Sequence, residues 1–232
     1  FQSQNGTIWA GTPIGLNRFD PKTETFIRYE KQPNNSKSLS NNLIRDIYED
    51  SKNRLWIATS SGLNLYNSES DSFTHWSEQD GLNNGHVAAI QEDNDGNLWL
   101  TTQKGISRFD PNSETFKNYD NEDGIENHGF NSRSLLRSEY SGNFFAGGKN
   151  GLTIFHPDSL RINSNIPNVL ISSLKKYNSE DGNTTETEIK GIAHLDEIEL
   201  THRDNILTFQ FTALNFRNSK KNQYAYQLEF FN

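Results

Sequence analysis

The segment that decides the fold is LWIATSSGLNLY, residues 55–66, in which two short β-prone runs are joined at a glycine. Trp56 lies in the first run, and Gly62 follows it six residues later to open the second. The same aromatic–glycine pair occurs three more times, at Trp9/Gly15, Trp99/Gly105 and Phe145/Gly151. Successive aromatic anchors are 47, 43 and 46 residues apart. Because periods of about 40 to 50 residues built from short strands are typical of β-propeller blades, the sequence predicts an array of blades.

The second repeat shows the unit most completely. The pattern predicts four strands separated by polar turns, at Leu43–Tyr48, Leu55–Thr59, Leu63–Tyr66 and Ser72–Trp76. Four short strands joined by three tight turns within about 35 residues describe one propeller blade. The glycine at the central turn permits a backbone conformation that a side chain would disfavour.

Large aromatic rings recur at constant positions of this unit. They are Phe19, Tyr66, Phe109 and Phe155 on the third strand, Phe26, Phe73 and Phe116 on the fourth, and Tyr29, Trp76 and Tyr119 after them. Because side chains alternate between the two faces of a strand, constant offsets place these rings between neighbouring sheets. We predict that they pack blade against blade, and do not stack on a ligand.

The array covers about three and a half blades, residues 1–165. The first unit begins at its second strand, and the fourth departs from the pattern after Phe155-His156-Pro157-Asp158. Closed propellers have about four to eight blades. We therefore expect either an open arc or a ring that another copy of the chain completes.

A different pattern occupies residues 166–232. Short β-prone segments at 169–174, 197–200, 206–211 and 224–228 are separated by polar stretches, one of which predicts a turn at 178–183. Strands of this length and spacing predict a small immunoglobulin-like β-sandwich. The predicted fold class is therefore all-β, a partial β-propeller followed by a β-sandwich.

Composition restricts the classes of function. The net charge of −8 and the absence of a basic run argue against a nucleic-acid partner. The absence of cysteine excludes disulfides and thiolate metal sites. No run approaches the roughly 18 apolar residues that a membrane span requires, and the sequence opens inside a repeat without a methionine. We expect a piece of a longer protein, with any membrane attachment through segments outside this sequence.

The repeats and the segments after them resemble known families. The units with LWIAT at 55–59 and LWLTT at 98–102, each followed by Gly-Leu or Gly-Ile, resemble the two-component regulator propeller repeat, and so does the Phe-Asp-Pro at 19–21 and 109–111. The segments DNILTFQFTALNF, 204–216, and KNQYAYQLE, 221–229, resemble the three-tyrosine-motif domain, and NGLTIFHPD, 150–158, is similar to the usual junction between the two. Where that domain has Leu-Glu-Gly-Phe, this sequence has LEFF at 228–231 and stops at Asn232, so we expect an incomplete sandwich.

The resemblance implies the sensing half of a signal transducer. Proteins of this kind are membrane-spanning sensors with periplasmic propellers, and their output module is usually a histidine kinase, often in a hybrid two-component system, and sometimes a diguanylate cyclase. Ligands in gut-bacterial members are typically oligosaccharides. The resemblance thus implies a periplasmic segment that recognises an oligosaccharide or other small polar ligand and relays a signal. The alternative is a protein-interaction or dimerisation scaffold without its own ligand.

Catalytic and metal chemistry are not indicated. The six histidines lack metal-ligand spacing, and no nucleophile, base and orienting group can be connected by sequence. The Asp93–Asn97 segment resembles the start of a calcium loop, but Lys104 falls where a bidentate glutamate is needed, so a hairpin turn is favoured. Glu49/Asp50 and Glu92/Asp93 end predicted strands just before turns, where solvated carboxylates are expected. We predict a segment that is not an enzyme and that uses neither cofactor nor metal; a propeller hydrolase or lyase is the less favoured reading.

The candidate binding residues lie in and beside the polar linkers between blades, Lys31–Asn42, Ser77–Gly85 and Asp120–Asn131. Amides, imidazoles and guanidinium groups there can hydrogen-bond the hydroxyl groups of a sugar. The predicted ligand-binding residues are Asn41, Asn42, Arg45, Asn83, Asn84, His86, Asn127, His128, Asn131 and Arg133. The competing interpretation is that the asparagines cap turns.

Overall fold

The computed structural model describes residues 1–126, 129–160, 168–180, 183–192, 195, 197–213, 225 and 227. The chain divides into two compact units, Phe1–Arg161 and Ile162–Asn232. The boundary predicted at residues 165 and 166 lies outside the described residues. The fold is all-β, as predicted, and consists of antiparallel sheets connected by turns.

In the first unit, four antiparallel sheets follow one another along the described chain. Blade 1 contains β1 (Trp9–Thr12), β2 (Gly15–Asp20) and β3 (Thr25–Tyr29); blade 2 contains β4 (Ile44–Glu49), β5 (Leu55–Thr59), β6 (Gly62–Asn67) and β7 (Ser72–Trp76). Blade 3 contains β8 (Val87–Glu92), β9 (Leu98–Thr102), β10 (Gly105–Asp110) and β11 (Thr115–Tyr119); blade 4 contains β12 (Phe130–Arg137), β13 (Phe144–Gly148) and β14 (Gly151–Phe155). Among these residues, blade 1 has no inner strand and blade 4 has no outer strand. The prediction of about three and a half blades is therefore confirmed.

The aromatic rings pack between blades, as predicted. Trp9 meets Tyr66 of the next blade with ring centroids 5.0 Å apart, Trp56 meets Phe109 at 5.9 Å, and Trp99 meets Phe155 at 5.2 Å. Each tryptophan thus belongs to a buried cluster shared by its own blade and the one that follows. The array is stabilised by a series of similar cores between sheets.

Phe145 behaves differently from the three tryptophans. It pairs with Ile154 across blade 4 in the register by which Trp56 pairs with Leu65, yet it is only half-buried. Its neighbour Phe144 instead packs on Trp99, with centroids 5.6 Å apart. The repeat thus predicts the register of Phe145 correctly but not its burial, because no sheet of the described first unit covers this face of blade 4.

The two end faces of the array are apolar and open. On blade 4, Leu152 is 61% and Ile154 is 56% exposed, although Leu63 and Leu65 at the same register positions of blade 2 pack against blade 3. On blade 1, Phe26 is 55% exposed, although its equivalent Phe73 is buried against blade 1. Both faces are built like the internal interfaces but remain uncovered by the described residues.

Asp50 and Asp93 are buried, which corrects the expectation of solvated carboxylates. Asp50 is 1% exposed and accepts hydrogen bonds from the Nε1 of Trp56 at 2.7 Å and from the backbone N of Lys52 and Arg54. Asp93 accepts the Nε1 of Trp99 at 2.9 Å in the same way. Each carboxylate closes the turn and also holds the tryptophan that follows six residues later. The preference for a turn over a calcium loop at Asp93 agrees with this arrangement.

The glutamates that precede these aspartates connect neighbouring blades. Glu49 Oε2 accepts the backbone N of Gln4 at 2.6 Å, and the two carboxylate oxygens of Glu92 accept the backbone N and the hydroxyl of Ser51, both at 2.8 Å. Gln4 and Ser51 occupy equivalent turns of blades 1 and 2. Each acidic pair thus has the same structural role in its blade: the aspartate binds groups of its own blade, and the glutamate binds a turn of the preceding blade.

The second unit contains one described sheet. Its strands are β15 (Val169–Glu180), β16 (Asn183–Lys190) and β17 (Asp204–Ala213), in the antiparallel order β16-β15-β17. The predicted strands at 169–174 and 206–211 lie within β15 and β17. The predicted strand at 197–200 is wrong, because these residues form no strand, and the predicted turn at 178–183 is too long, because β15 continues to Glu180. The predicted strand at 224–228 lies largely outside the described residues.

Within the described part of the chain, no helix has the length and apolar character needed to cross a bilayer.

Candidate functional site

The inner strands β4, β8 and β12 contact one another, and the pairing of each is interrupted by a register shift, which is a one-residue bulge in β4 and β8 and a longer irregularity in β12. The irregularities fall between Ile44 and Asp46, between Val87 and Ala89, and between Phe130 and Leu135. Bulges change the direction of a side chain and are frequent beside binding sites. Arg45 and Arg133 lie in two of these irregularities, so predicted site residues from blades 2 and 4 occupy comparable positions.

Asp46, which sequence reasoning missed, connects three blades at this point. Its side chain is 12% exposed. Oδ2 accepts the backbone N of Ile90 on β8 at 3.0 Å, and Oδ1 lies 3.6 Å from the Nε of Arg133 on β12. Burial raises the pKa of Asp46 to about 6, against the opposing effects of hydrogen bonds from Ile90 and Ile47 and of the Arg133 charge. Only the folded chain shows this role, because the partners are 44 and 87 residues away in sequence.

The raised pKa of Asp46 gives a prediction for stability against pH. A folded-state pKa of about 6 against an ordinary 3.8 means that the folded chain holds the proton more tightly. This group therefore favours folding at low pH, and its contribution is lost as the pH rises from about 4 to about 6. Two pH units correspond to about 3 kcal/mol at most. Asp46→Asn should remove this contribution to the pH dependence of the free energy of unfolding, which urea denaturation at several values between pH 4 and pH 7 measures.

The control for this prediction is Asp95→Asn. Asp95 has a side chain that is 81% exposed, so the same chemical change there should leave the pH dependence as it is in the unmodified chain. An unchanged pH dependence in Asp46→Asn would contradict the assignment.

Arg45 and His86 come together beside the bulge of β4. Arg45 Nε donates to the hydroxyl of Ser60 at 3.2 Å, and Arg45 forms no ion pair with the described residues. Nδ1 of His86 lies 3.4 Å from Nε2 of Gln103. Burial, and then the charge of Arg45, lowers the pKa of His86. At neutral pH the pair therefore offers a charged guanidinium beside an uncharged imidazole.

The four asparagines of the first two linkers are engaged within the fold. Their amide oxygens accept hydrogen bonds from Leu43 N (Asn41), Lys31 N (Asn42), the Thr102 hydroxyl (Asn83) and His86 N (Asn84). The amide nitrogens of Asn41, Asn83 and Asn84 donate to Ser61, Lys104 and Glu78. These contacts shape the linkers, and among the predicted residues of blades 2 and 3 they distinguish the asparagines from Arg45 and His86, which lie just beyond the two linkers.

The remaining predicted residues belong to the third linker. Asn127 and His128 lie outside the described residues. Asn131 lies in β12, which begins at Phe130, and is exposed. Arg133 is also on β12, where its φ of +60° belongs to the left-handed region that non-glycine residues seldom adopt. Its side chain is exposed apart from the contact with Asp46.

A groove of about 490 Å³ lies between the Lys31–Asn42 linker and blade 2. Its lining includes Lys31, Ser38, Ser61, His75 and Ser77. Nδ1 of His75 is buried and has no hydrogen-bond partner among the described residues. We call this space the linker groove. Its volume falls in the range of small-molecule sites, about 300 to 1,000 Å³.

The buried side chain of Asn64 holds the wall of the linker groove in place. Asn64 Oδ1 accepts the backbone N of Ser40, and its Nδ2 donates to the Ser40 hydroxyl, both at 2.9 Å. Asn64, a polar residue between Leu63 and Leu65 on a strand, is a sequence signal for this groove in addition to the polar linker. Among the described residues, no group of three His, Asp or Glu side chains could hold a metal ion.

Comparisons with known proteins agree with this architecture. The sequence profile of the family "Two component regulator propeller" matches residues 38–61 and 81–104, which confirms the predicted resemblance to this repeat. A curated relative, Histidine kinase P4 of Formosa agariphila, is 25% identical over 98% of this chain and 20% of its own length. The extracellular domain of BT3049 from B. thetaiotaomicron, assigned as a hybrid two component system, is 29% identical with a TM-score of 0.72, over 94% of this chain and 29% of that one.

Both relatives are much longer than this chain. The chain spans about a fifth of the kinase and less than a third of the solved extracellular domain. Both likenesses run over nearly the whole of this chain, so they include the second unit as well as the blades. The curated relative is named a histidine kinase, and the solved relative is the extracellular domain of a hybrid two component system.

Proposed function

We propose that this chain is the ligand-sensing and signal-relaying segment of a transmembrane sensor of the hybrid two-component type. The observation that carries the proposal is the likeness to an extracellular sensor domain over 94% of the chain, with a TM-score of 0.72. The segment would lie outside the cytoplasm, in the periplasm, and would not itself be an enzyme. Kinase activity would belong to another part of the protein, as in the kinase that resembles it. The second unit, with its resemblance to the three-tyrosine-motif domain, would relay the signal.

The linker face of blades 2 and 3 is suited to binding a small polar ligand, and the ligand class that we propose is an oligosaccharide. We define this face as the linker groove together with Arg45, His86 and Gln103. The groove offers several hydroxyl groups and the side chain of His75 in its lining, and Arg45 and His86 add further polar groups beside it. Sugars are bound through many hydrogen bonds of this kind.

Titration calorimetry and thermal unfolding with a broad panel of oligosaccharides test this function. A ligand at 100 times its dissociation constant should stabilise the fold by about 2.7 kcal/mol. His75→Ala should weaken binding, whereas His202→Ala, at an exposed histidine of the second unit, should not. Absence of binding across the panel would rule out the oligosaccharide as ligand.

The open apolar faces favour a second candidate function, an assembly scaffold that pairs with another copy of the chain. Leu152 and Ile154 on blade 4 and Phe26 on blade 1 repeat the positions that pack blades together inside the array. Contiguous exposed apolar side chains usually mark an interface. Sedimentation would show association that increases with concentration, and a strictly monomeric chain at high concentration would exclude this candidate.

A further inference from the structure

We propose that the linker face recognises an acidic oligosaccharide, and that Arg45 holds its carboxylate or sulfate group. This inference rests on the proposed sensing function and names the class of ligand. It depends on the charge balance of the face, on the position of Arg45 beside the linker groove, and on the neighbours of its guanidinium group.

Arg45 is a partly buried cation without a counter-ion among the residues that the structure describes. Its Nε is engaged by Ser60 at 3.2 Å, and no carboxylate of the described residues lies within 4.0 Å of the guanidinium group. A guanidinium group carries five donors in a planar fork that matches a carboxylate or sulfate. In a chain of net charge −8, an arginine left without an acidic partner at a strand bulge is best explained by an anion from outside.

The carboxylates near this face are engaged elsewhere. Glu78 Oε1 accepts the backbone N of Gly85 at 2.8 Å and the amide of Asn84 at 3.2 Å. Asp46 is the acceptor for Ile90 and lies beside Arg133. Arg133 is therefore partly neutralised and Arg45 is not, which makes Arg45 the main anion contact.

His86 and Gln103 complete the surroundings of the anion. The lowered pKa of His86 keeps its imidazole uncharged at neutral pH. The ring can therefore donate one hydrogen bond to the ligand, and Arg45 remains the charged group. The amide of Gln103 lies 3.4 Å from this ring. Together they supply neutral donors beside one fixed positive charge, a combination that suits an anion on a hydroxyl-rich molecule.

The Ser60–Ser61 turn joins Arg45 to the linker groove. Ser60 binds Arg45, and the next residue, Ser61, lines the groove and accepts a hydrogen bond from Asn41. One ligand can therefore place sugar rings in the groove and its acidic group at Arg45. Lys31 in the groove wall adds a second positive charge on the path. The arrangement favours a short acidic chain over an isolated anion.

Calorimetry with matched sugars tests the inference. The probes are trigalacturonate, its neutral galactose counterpart and a sulfated galactose trisaccharide, so that carboxylate and sulfate are compared on similar rings. We expect one acidic probe to bind at least tenfold more tightly than the neutral one, and the preference to weaken as salt is raised. Arg45→Gln should abolish the preference, with a loss of about 10- to 100-fold for the acidic probe.

The matched control is Arg28→Gln. Arg28 is an exposed arginine on β3 that pairs with Glu30 at 3.3 Å, and its loss should leave both affinities unchanged. Thermal unfolding of both variants verifies that they are folded. Equal binding of acidic and neutral probes, or an unaltered preference in Arg45→Gln, would overturn the inference while leaving the sensing function intact. Binding of no glycan would overturn both.

Discussion

Replacing Trp99 by alanine is expected to destabilise the first unit by about 3–5 kcal/mol. Trp99 is 1% exposed and packs against Tyr119, Phe144 and Phe155, with centroid distances of 5.2 to 5.6 Å. Truncation opens a cavity between blades 3 and 4. It also removes the Nε1 donor from Asp93, a buried carboxylate. Urea denaturation followed by circular dichroism measures the loss, which should appear as a lower midpoint.

Phe145→Ala is the matched control, because Phe145 holds the register position of Trp99 in blade 4. Its ring is half-buried on the open face, so its truncation should cost no more than about 1 kcal/mol. Similar losses for the two substitutions would mean that another sheet covers blade 4 in solution. That result would contradict the open face and would favour the assembly scaffold.

Gly105→Ala is expected to have the second large effect, a loss of roughly 3–4 kcal/mol. The residue has a φ of +116°, and an added Cβ would lie 2.2 Å from the carbonyl oxygen of Tyr119 on β11. That oxygen belongs to the backbone of the outermost strand, so the strand itself must move. Thermal unfolding of the variant should show a lower midpoint and a weakened third blade.

Gly151→Ala separates the two causes of that loss. Gly151 has a similar φ of +112°, but no described atom lies within 4 Å of the position of an added Cβ. Only the backbone strain of the left-handed region remains, about 1–2 kcal/mol. The difference between the two variants therefore measures the contact with the fourth strand. Equal losses would indicate that backbone strain alone accounts for the repeated spacing of aromatic residue and glycine.

In both pairs of variants, equivalent positions of the repeat are expected to contribute differently to the stability of the fold. Trp99 and Phe145, like Gly105 and Gly151, have the same place in the repeat and the same pairing register. What differs is the presence of a following blade or of an outer strand. Burial is a property of neighbouring sheets, so local sequence similarity does not fix it.

The site shows the same division. Sequence reasoning placed Arg45 and His86 among the candidate residues, because polar linkers between blades are recognisable by composition, and their role in binding is a proposal. It did not find Asp46, whose partners Ile90 and Arg133 lie on two other blades, nor His75, which reaches the groove only through the pairing of β6 with β7. It also treated Asp50 and Asp93 as solvated, although their burial depends on the tryptophan that each one holds.

The sequence by itself determined the all-β class, the number of blades, the strand register and the positions of the rings between sheets. These follow from local periodicity, since alternation along a strand and a glycine at each turn are encoded within a few residues. Only the tertiary structure decided, among the described residues, which carboxylates are buried, which faces remain open and which charged side chains form ion pairs. Those properties depend on residues tens of positions apart that meet only when the blades pack, and the electrostatic environment of a side chain is the sum of all such neighbours.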